Sequence, residues 1–159
     1  APLSALEVSM SIILAAVTRS IVIGIVSTAV FFLIVDLNIT NFIYIFYAAF
    51  FGSFFIGSLG FITGLWATKF DHTATITNFI ITPLAFLSGV FYTIDRLPLL
   101  FQSISYFNPF FHIINIFRYG FLGASDGDMF FGMIYLPILS LIGWFAAFML
   151  YKNGYKIKT

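Results

Sequence analysis

The sequence contains no cysteine, which excludes a disulfide framework, a thiol nucleophile and a Cys-ligated metal. Charge is almost as scarce, since 8% of the 159 residues are charged against about 25% in a typical soluble domain. The few basic residues form no patch of the kind that nucleic acid requires. The sequence also has no GxxxxGK[ST] loop with which to bind ATP. These absences argue against a nucleic-acid-binding protein and predict a chain with no cofactor of its own.

Apolar side chains dominate instead, at 61% of the residues, with 23 Phe among them. A soluble domain of this size leaves too much of its surface exposed to hide so many apolar groups. The same groups are stable against lipid. The composition therefore predicts an all-α membrane protein with a single transmembrane domain over residues 1–159.

Four apolar stretches each predict a helix that crosses the bilayer. They cover residues 10–35, 42–67, 73–90 and 129–151. The first stretch rises about 39 Å, more than the roughly 30 Å hydrocarbon core, so Arg19 is expected within reach of one interface. The third is barely long enough, and Pro83 near its middle predicts a kink.

Basic residues set the expected orientation of these spans. With four spans, four lysines fall on one side: Lys69, Lys152, Lys156 and Lys158. The opposite side carries four aspartates and only two basic residues, Arg96 and Arg118. The lysine side is therefore predicted to be cytoplasmic, with both chain ends on it. An aromatic belt is predicted from the tyrosines near the interfaces: Tyr44, Tyr47, Tyr92 and Tyr151.

Small residues line one face of each of the first two spans, which is how membrane helices approach closely. The ladder on the second span is Ser53, Gly57, Gly60 and Gly64, and the ladder on the first is Ala16, Ser20, Gly24 and Thr28. Packing of these two helices against each other is the favoured interpretation. A dimer face is the alternative.

Residues 91–128 are too apolar for an exposed loop and too broken to span. Two half-length helices are predicted there, over residues 97–107 and 109–119. Asn108 is expected to cap the second, with Pro109 at its first position and Gly120 as its αL cap. Together they predict an external re-entrant or interfacial hairpin between the last two spans.

Arg118 and His112 lie on one side of the second half-helix. An arginine in so apolar a setting is a functional-site hypothesis by default. The equally weighted alternative is structural: Arg118 pairs with an acid such as Asp126 or binds carbonyls freed by the broken helices. His112 is interpreted as a hydrogen-bonded packing residue.

These elements resemble a known family. The pattern consists of Ile81, Leu84, Leu87, Ser88, Val90, Leu97, Pro98, Pro109, Phe110, His112 and Arg118 at fixed spacing. Residues 83–92 and 115–123 also match as continuous phrases. The pattern resembles the signature of type-2 ABC exporter permeases, which are the membrane subunits of ABC transporters that export drugs and polysaccharides.

The resemblance implies six spans per subunit, of which this chain would hold the last four. The opening at Ala1, with no initiator Met, fits a piece of a longer protein that lacks two N-terminal spans. The family also implies a bacterial cytoplasmic (inner) membrane location, a separate ABC ATPase subunit that binds ATP, and a second permease copy. An outer gate is assigned to the hairpin and its neighbours: Pro83, Ser88, Gly89, Leu97, Pro98, Pro109, His112 and Arg118.

The expected function is therefore ATP-driven export of a lipid-linked glycan, a polysaccharide or a hydrophobic drug, by a subunit that is not itself an enzyme. A non-transporting scaffold or channel subunit is the alternative, although it has no reason to match the signature. An intramembrane enzyme is a weaker alternative, because the acids are single or paired only at Asp126 and Asp128, where a turn is expected.

Overall fold

The computed structural model describes residues 3–36, 39–67, 70–91 and 93–154, and they form helices joined by short connections. Three of these helices are long and apolar enough to cross a membrane. They are α1 (Ala5–Ile34), α2 (Phe42–Trp66) and α7 (Met129–Lys152). They confirm helices for the first, second and fourth predicted spans.

A capping box fixes the start of α1. Ser4 Oγ accepts from the Glu7 amide at 3.2 Å, and the Glu7 carboxylate accepts from the Ser4 amide at 2.7 Å. The helix therefore begins five residues before the predicted start. This shift places Arg19 near the centre of α1, and the expected reach of its side chain to one interface stays a prediction.

The third predicted span is shorter and more broken than the sequence predicted. It comprises α3 (Phe70–Ile76), a π-helical turn (Thr77–Ile81) and α4 (Thr82–Phe86). Together these rise about 25 Å, less than the roughly 30 Å hydrocarbon core. The π-helical turn lies just before Pro83, where the ring excludes a regular α-turn. The Thr82 amide donates instead to the Thr77 carbonyl, five residues back. Membrane crossing by this segment stays a prediction.

The hairpin region contains a 3₁₀ turn (Ile94–Arg96), α5 (Leu99–Phe107) and α6 (Pro109–Leu122). Asn108 caps α6 by accepting from the Phe110 amide at 3.0 Å, as predicted. The end of α6 was predicted wrongly. Gly123 is the αL residue, with φ of +69°, and Gly120 lies inside the helix. Gly120 is there for close packing, because a Cβ on it would lie 2.9 Å from the Ile45 amide nitrogen.

The second helix, α2, packs against α1, α6 and α7 at once. One buried cluster joins α1 to α2 through Ile13, Val17 and Phe54. Another joins α2, α6 and α7 through three fully buried side chains: Ala48, Ile116 and Leu136. The helices around α2 therefore form the core against which the hairpin is positioned.

Polar links between α2 and α7 were not predicted from the sequence. Pro137 lies inside α7 and has no amide proton, which leaves the Met133 carbonyl without its usual donor. The Tyr47 hydroxyl donates to that carbonyl. Ser140 Oγ donates to the Phe51 carbonyl at 3.1 Å, which adds a second link. Tyr47 thus packs beside the core between α2 and α7, and its place in an aromatic belt stays a prediction.

The two small-residue ladders meet at one point in the structure. A Cβ on Gly57 would lie 3.1 Å from Ala16 Cβ, so the helices are in close contact there. A Cβ on Gly24, Gly60 or Gly64 would meet no described atom within 4 Å. Close packing of α1 on α2 through Gly60 and Gly64 is therefore not what the described residues show. The dimer-face alternative stays a prediction.

Of the four lysines predicted on the cytoplasmic side, Lys152 is the last residue of α7, with its ammonium 5.8 Å from the centre of the Phe148 ring. The other three lie outside the described residues: Lys69, Lys156 and Lys158. The orientation of the chain ends stays a prediction.

Candidate functional site

A set of polar side chains joins the hairpin to the end of the third predicted span. The backbone there turns out of α4 at Gly89, whose φ is +78°, and this leaves the last carbonyls of the helix without intrahelical donors. Each such carbonyl costs about 1–3 kcal/mol if it is buried unpaired. The side chains that supply the missing donors come from α5, α6 and their junction.

Three side chains of the hairpin make these bonds. Asn108 Nδ2 donates to the Leu84 carbonyl at 2.6 Å. Ser105 Oγ donates to the Leu87 carbonyl at 3.1 Å. We call the donors Ser105, Asn108 and Arg118 the polar clamp, since Arg118 Nη2 donates to the carbonyl of Gly89. Ser105 and Asn108 are buried. The clamp therefore fixes the C-terminal end of α4 and the turn after it to the hairpin.

Arg118 has a second partner, which the sequence analysis named as its structural alternative. Its Nη1 forms an ion pair with the Asp126 carboxylate. Asn115, one turn before Arg118, accepts from the Asp126 amide at 2.7 Å. The structure brings together both interactions considered for Arg118, the acid and a freed carbonyl. These contacts account for an arginine in this setting without a ligand.

The connection between α6 and α7 packs against α6. Asp128 caps α7 by accepting from the amides of Phe130 and Phe131 at 2.9 and 3.2 Å. A Cβ on Gly127 would lie 2.8 Å from the Phe111 ring, so the turn is pressed against α6. Asp126 and Asp128 therefore form the turn that was predicted rather than a paired-acid site.

His112 is buried against aromatic rings, with Phe111, Phe131 and Tyr135 each within 5.0–5.3 Å of its ring centre. Its Nε2 lies 2.7 Å from the Tyr106 carbonyl, so this nitrogen carries the proton. The other ring nitrogen is buried with no hydrogen-bond partner among the described residues. These contacts fit the predicted packing role.

The prolines and the leucine of the signature occupy helix boundaries. Pro98 precedes α5 and its carbonyl accepts from the Phe101 and Gln102 amides at 2.9 and 3.1 Å. Pro109 is the first residue of α6. Leu97 ends the 3₁₀ turn, and its carbonyl accepts from Gln102 Nε2 at 2.8 Å. Ser88 is buried, and its hydroxyl donates to the Ala85 carbonyl. These signature residues thus lie at the ends of α4, α5 and α6.

The junction between α5 and α6 lies beside α7, some way along that helix from its first residue. The Tyr135 hydroxyl donates to the Phe107 carbonyl at 2.8 Å, and Tyr135 is six residues, or about 9 Å, along α7 from Met129. At the other end of α6, Asn41 donates from its amide to the Gly120 carbonyl at 2.8 Å, beside the start of α2. The two helices thus pack beside α7 and α2, and their insertion into a bilayer as a re-entrant hairpin stays a prediction. Within the described ranges no three acidic or His side chains are grouped to hold a metal ion.

Comparison with known proteins decides the family. The model of the family described as ABC-2 type transporter matches residues 1–122, which include the polar clamp. The chain belongs to the ABC-2 type transporter family. It is 32% identical over 132 residues to the inner membrane transport permease YadH of Escherichia coli K12, covering 80% of this chain and 52% of YadH.

More distant relatives include two proteins named nodulation protein J. The one from Rhizobium leguminosarum bv. viciae is 35% identical over 72 residues, which is 45% of this chain and 28% of the relative. The one from Sinorhizobium fredii is 28% identical over 92 residues, which is 58% and 35% of the two chains. No solved structure matches the chain. The chain thus spans about half the length of YadH and less of the nodulation proteins.

Membership in this family and three span-length apolar helices make the chain a membrane component of an ABC transporter. YadH is named as an inner membrane protein, and the apolar helices of this chain fit insertion into a membrane.

Proposed function

We propose that this chain is part of the permease subunit of an ATP-driven exporter in the bacterial cytoplasmic membrane. It moves a lipid-linked glycan, a polysaccharide or a hydrophobic drug outward, and both of its ends face the cytoplasm. A separate ABC ATPase binds and hydrolyses ATP, and a second permease copy completes the pathway. The observation that carries the proposal is the polar clamp, because it lies within the family match and joins a broken helix to the hairpin.

In this proposal the hairpin acts as the outer gate. Cytoplasmic contacts transmit the motion of the ATPase to the helices, and the pathway between two permeases opens alternately on each side. The π-helical turn and the three prolines give the outer segment places to bend. The clamp keeps α4 and the hairpin together during that motion, since one carbonyl of α4 and two carbonyls of the turn after it are bonded to side chains of the hairpin.

The first test concerns the partner. The full-length permease with an affinity tag is co-expressed with the ATPase encoded beside it. The expected result is a stable complex that hydrolyses ATP, with hydrolysis abolished when the Walker lysine of the ATPase is replaced. A permease that is inserted normally and copurifies with no ATPase would contradict the transporter function and favour a scaffold.

The second test concerns the gate. ATP-dependent uptake of a fluorescent polyprenyl-linked sugar and of a lipophilic dye is measured in inside-out vesicles, for Pro109→Ala and Arg118→Gln. We expect at least a tenfold fall in uptake at normal membrane levels. Arg96→Gln is the matched control, because Arg96 is an exposed arginine of the same region outside the clamp. Uptake that is unchanged in both gate variants would refute the gate assignment.

A further inference from the structure

The last two carbonyls of α5 are bonded to side chains of two other helices. They belong to Tyr106 and Phe107, in the final turn, where a helix supplies no backbone donors. The Nε2 of His112 on α6 lies 2.7 Å from the Tyr106 carbonyl, and the Tyr135 hydroxyl on α7 donates to the Phe107 carbonyl at 2.8 Å. The rings of His112 and Tyr135 are also in contact, with their centres 5.0 Å apart. This His–Tyr pair therefore joins α5, α6 and α7.

His112 is neutral in this arrangement, and its second ring nitrogen is buried without a partner. A carbonyl only accepts, so Nε2 carries the proton and Nδ1 has a free lone pair. Nδ1 has no hydrogen-bond partner in the part of the chain that the structure describes. A Cβ on Gly132 would lie 3.0 Å from it, so Nδ1 faces the backbone of α7 at a position without a side chain. Since this nitrogen has almost no accessible surface, the packed helices themselves set its surroundings.

Protonation of Nδ1 places a positive charge among apolar and aromatic groups. As packed, the new N–H finds no hydrogen-bond partner among the described residues, and a buried charge without a partner is strongly unfavourable. The neighbouring rings of Phe111 and Phe131 attract a cation, but this attraction is weaker than the loss of water around the charge. If the junction of α5 and α6 separates from α7, the imidazole meets water instead. A charged His112 therefore favours separation.

Ionisable groups on the surrounding helices do not neutralise that charge. The Asp128 carboxylate on α7 attracts it, but Asp128 is exposed and already accepts from two backbone amides. On α6 itself, Arg118 is positively charged and is paired with Asp126. The described part of α4 has no ionisable side chain. The other ionisable groups that face α6 are tyrosines, which are uncharged between pH 5 and pH 8: Tyr106 on α5, Tyr135 on α7, and Tyr44 and Tyr47 on α2.

We propose that the His–Tyr pair is a pH-sensitive latch of the hairpin. While His112 is neutral, the pair holds the junction of α5 and α6 against α7, which is the closed form. When acidification charges His112, the junction separates from α7, which is the open form. The latch is a property of this fold, and its effect on transport rests on the proposed function, in which the hairpin is the outer gate. In that setting the gate opens more readily when the medium outside the cell is acidic.

Proton linkage gives the sign and the size of the effect. The closed form keeps His112 neutral and the open form lets it charge, so the closed form loses stability as the pH falls through the pKa of His112 in the open form. An imidazole in water has a pKa of about 6.5. The ratio of open to closed molecules is therefore expected to rise by up to about thirtyfold when the pH falls from 7.5 to 5.0.

A fluorescent reporter at the junction measures this opening. Phe107→Cys is introduced into a full-length permease without other cysteines and labelled with bimane, because the Phe107 side chain is exposed while its carbonyl accepts from Tyr135. Ile138→Trp supplies a short-range quencher, since Ile138 is exposed and lies one turn along α7 from Tyr135. In phosphatidylcholine nanodiscs the closed form is quenched and the open form is bright. The labelled protein without the added tryptophan corrects for any effect of pH on the dye.

We expect the fluorescence to rise reversibly as the pH falls from 7.5 to 5.0. His112→Gln should abolish the rise, because glutamine stays neutral and its amide can still donate to the Tyr106 carbonyl. His72→Gln is the matched control, since His72 is the other histidine of the chain and lies on α3, and it should leave the rise unchanged. A reporter protein with His112 whose fluorescence does not change with pH would overturn the proposal. A rise that persists in His112→Gln would overturn it as well.

Copurification of the ATPase with the same permease separates this inference from the proposed function. If the ATPase copurifies and the fluorescence does not change with pH, the latch is refuted and the proposed function stands. If the fluorescence rises only when His112 is present and no ATPase copurifies, the latch stands and the proposed function is refuted.

Discussion

Asn108 makes two hydrogen bonds, one to α4 and one that caps α6. Substitutions at this position measure the contribution of each bond to stability. Its amide nitrogen donates to the Leu84 carbonyl at 2.6 Å, and its amide oxygen caps α6 at Phe110. Asn108→Ser keeps an N-cap oxygen but cannot reach the Leu84 carbonyl. A buried carbonyl left without its donor costs about 1–3 kcal/mol. Asn108→Ala loses the cap as well, at about 1 kcal/mol more.

Thermal unfolding of the purified full-length permease measures both losses of stability. About 1 kcal/mol corresponds to about 2–4 °C for a chain of 150–250 residues. We therefore expect Asn108→Ser to lower Tm by about 2–12 °C and Asn108→Ala to lower it by about 2–4 °C more. Asn78→Ala is the control, because Asn78 is exposed and its side chain makes no hydrogen bond within the described residues. If the Asn108→Ser protein has the same Tm as the unaltered protein, the stabilising role of the clamp is refuted.

Two further stability predictions follow from the packing of α2. Gly120→Ala places a Cβ against the backbone of α2 and should destabilise the fold by about 1–3 kcal/mol. Gly60→Ala is the matched control, because its Cβ meets open space, and it should be neutral or stabilising by up to about 1 kcal/mol. Tyr47→Phe removes the donor to the Met133 carbonyl and should cost about 0.6–1.7 kcal/mol. In a Pro137→Ala background that carbonyl regains a backbone donor, so the same change should cost less; equal costs in both backgrounds would contradict the assignment.

Features set by neighbouring residues were predictable from the sequence. The long apolar helices follow from runs that only a bilayer can cover. Asn108 with Pro109 predicted the start of α6, because a cap and a first-turn proline act within one turn of the chain. The pairing of Arg118 with Asp126 was considered for a similar reason, since only eight residues separate them.

Features that depend on contacts between residues far apart in the chain were not predictable from the sequence. Gly120 and Gly123 are both plausible helix ends, and the choice depends on the backbone of α2 packed against Gly120. The bond from the Tyr47 hydroxyl to the carbonyl freed by Pro137 depends on how α7 packs against α2. That proline was the available signal, because a proline within a membrane helix frees a carbonyl that some neighbour must satisfy.

The contacts of the third predicted span are uneven along its length, and this bears on how the proposed gate moves. In the described part of the chain, α3 contacts α2 and α4 contacts α6, while the π-helical turn between them contacts only these two flanking helices. Bending is easiest where a helix lacks lateral packing and regular hydrogen bonds. The C-terminal end of α4 is different, because the clamp bonds one carbonyl of α4 and two carbonyls of the turn after it to the hairpin. In the proposed gate, we expect motion of the hairpin to be passed to α4 and absorbed at Thr77–Ile81, so that α4 and the hairpin move as one unit.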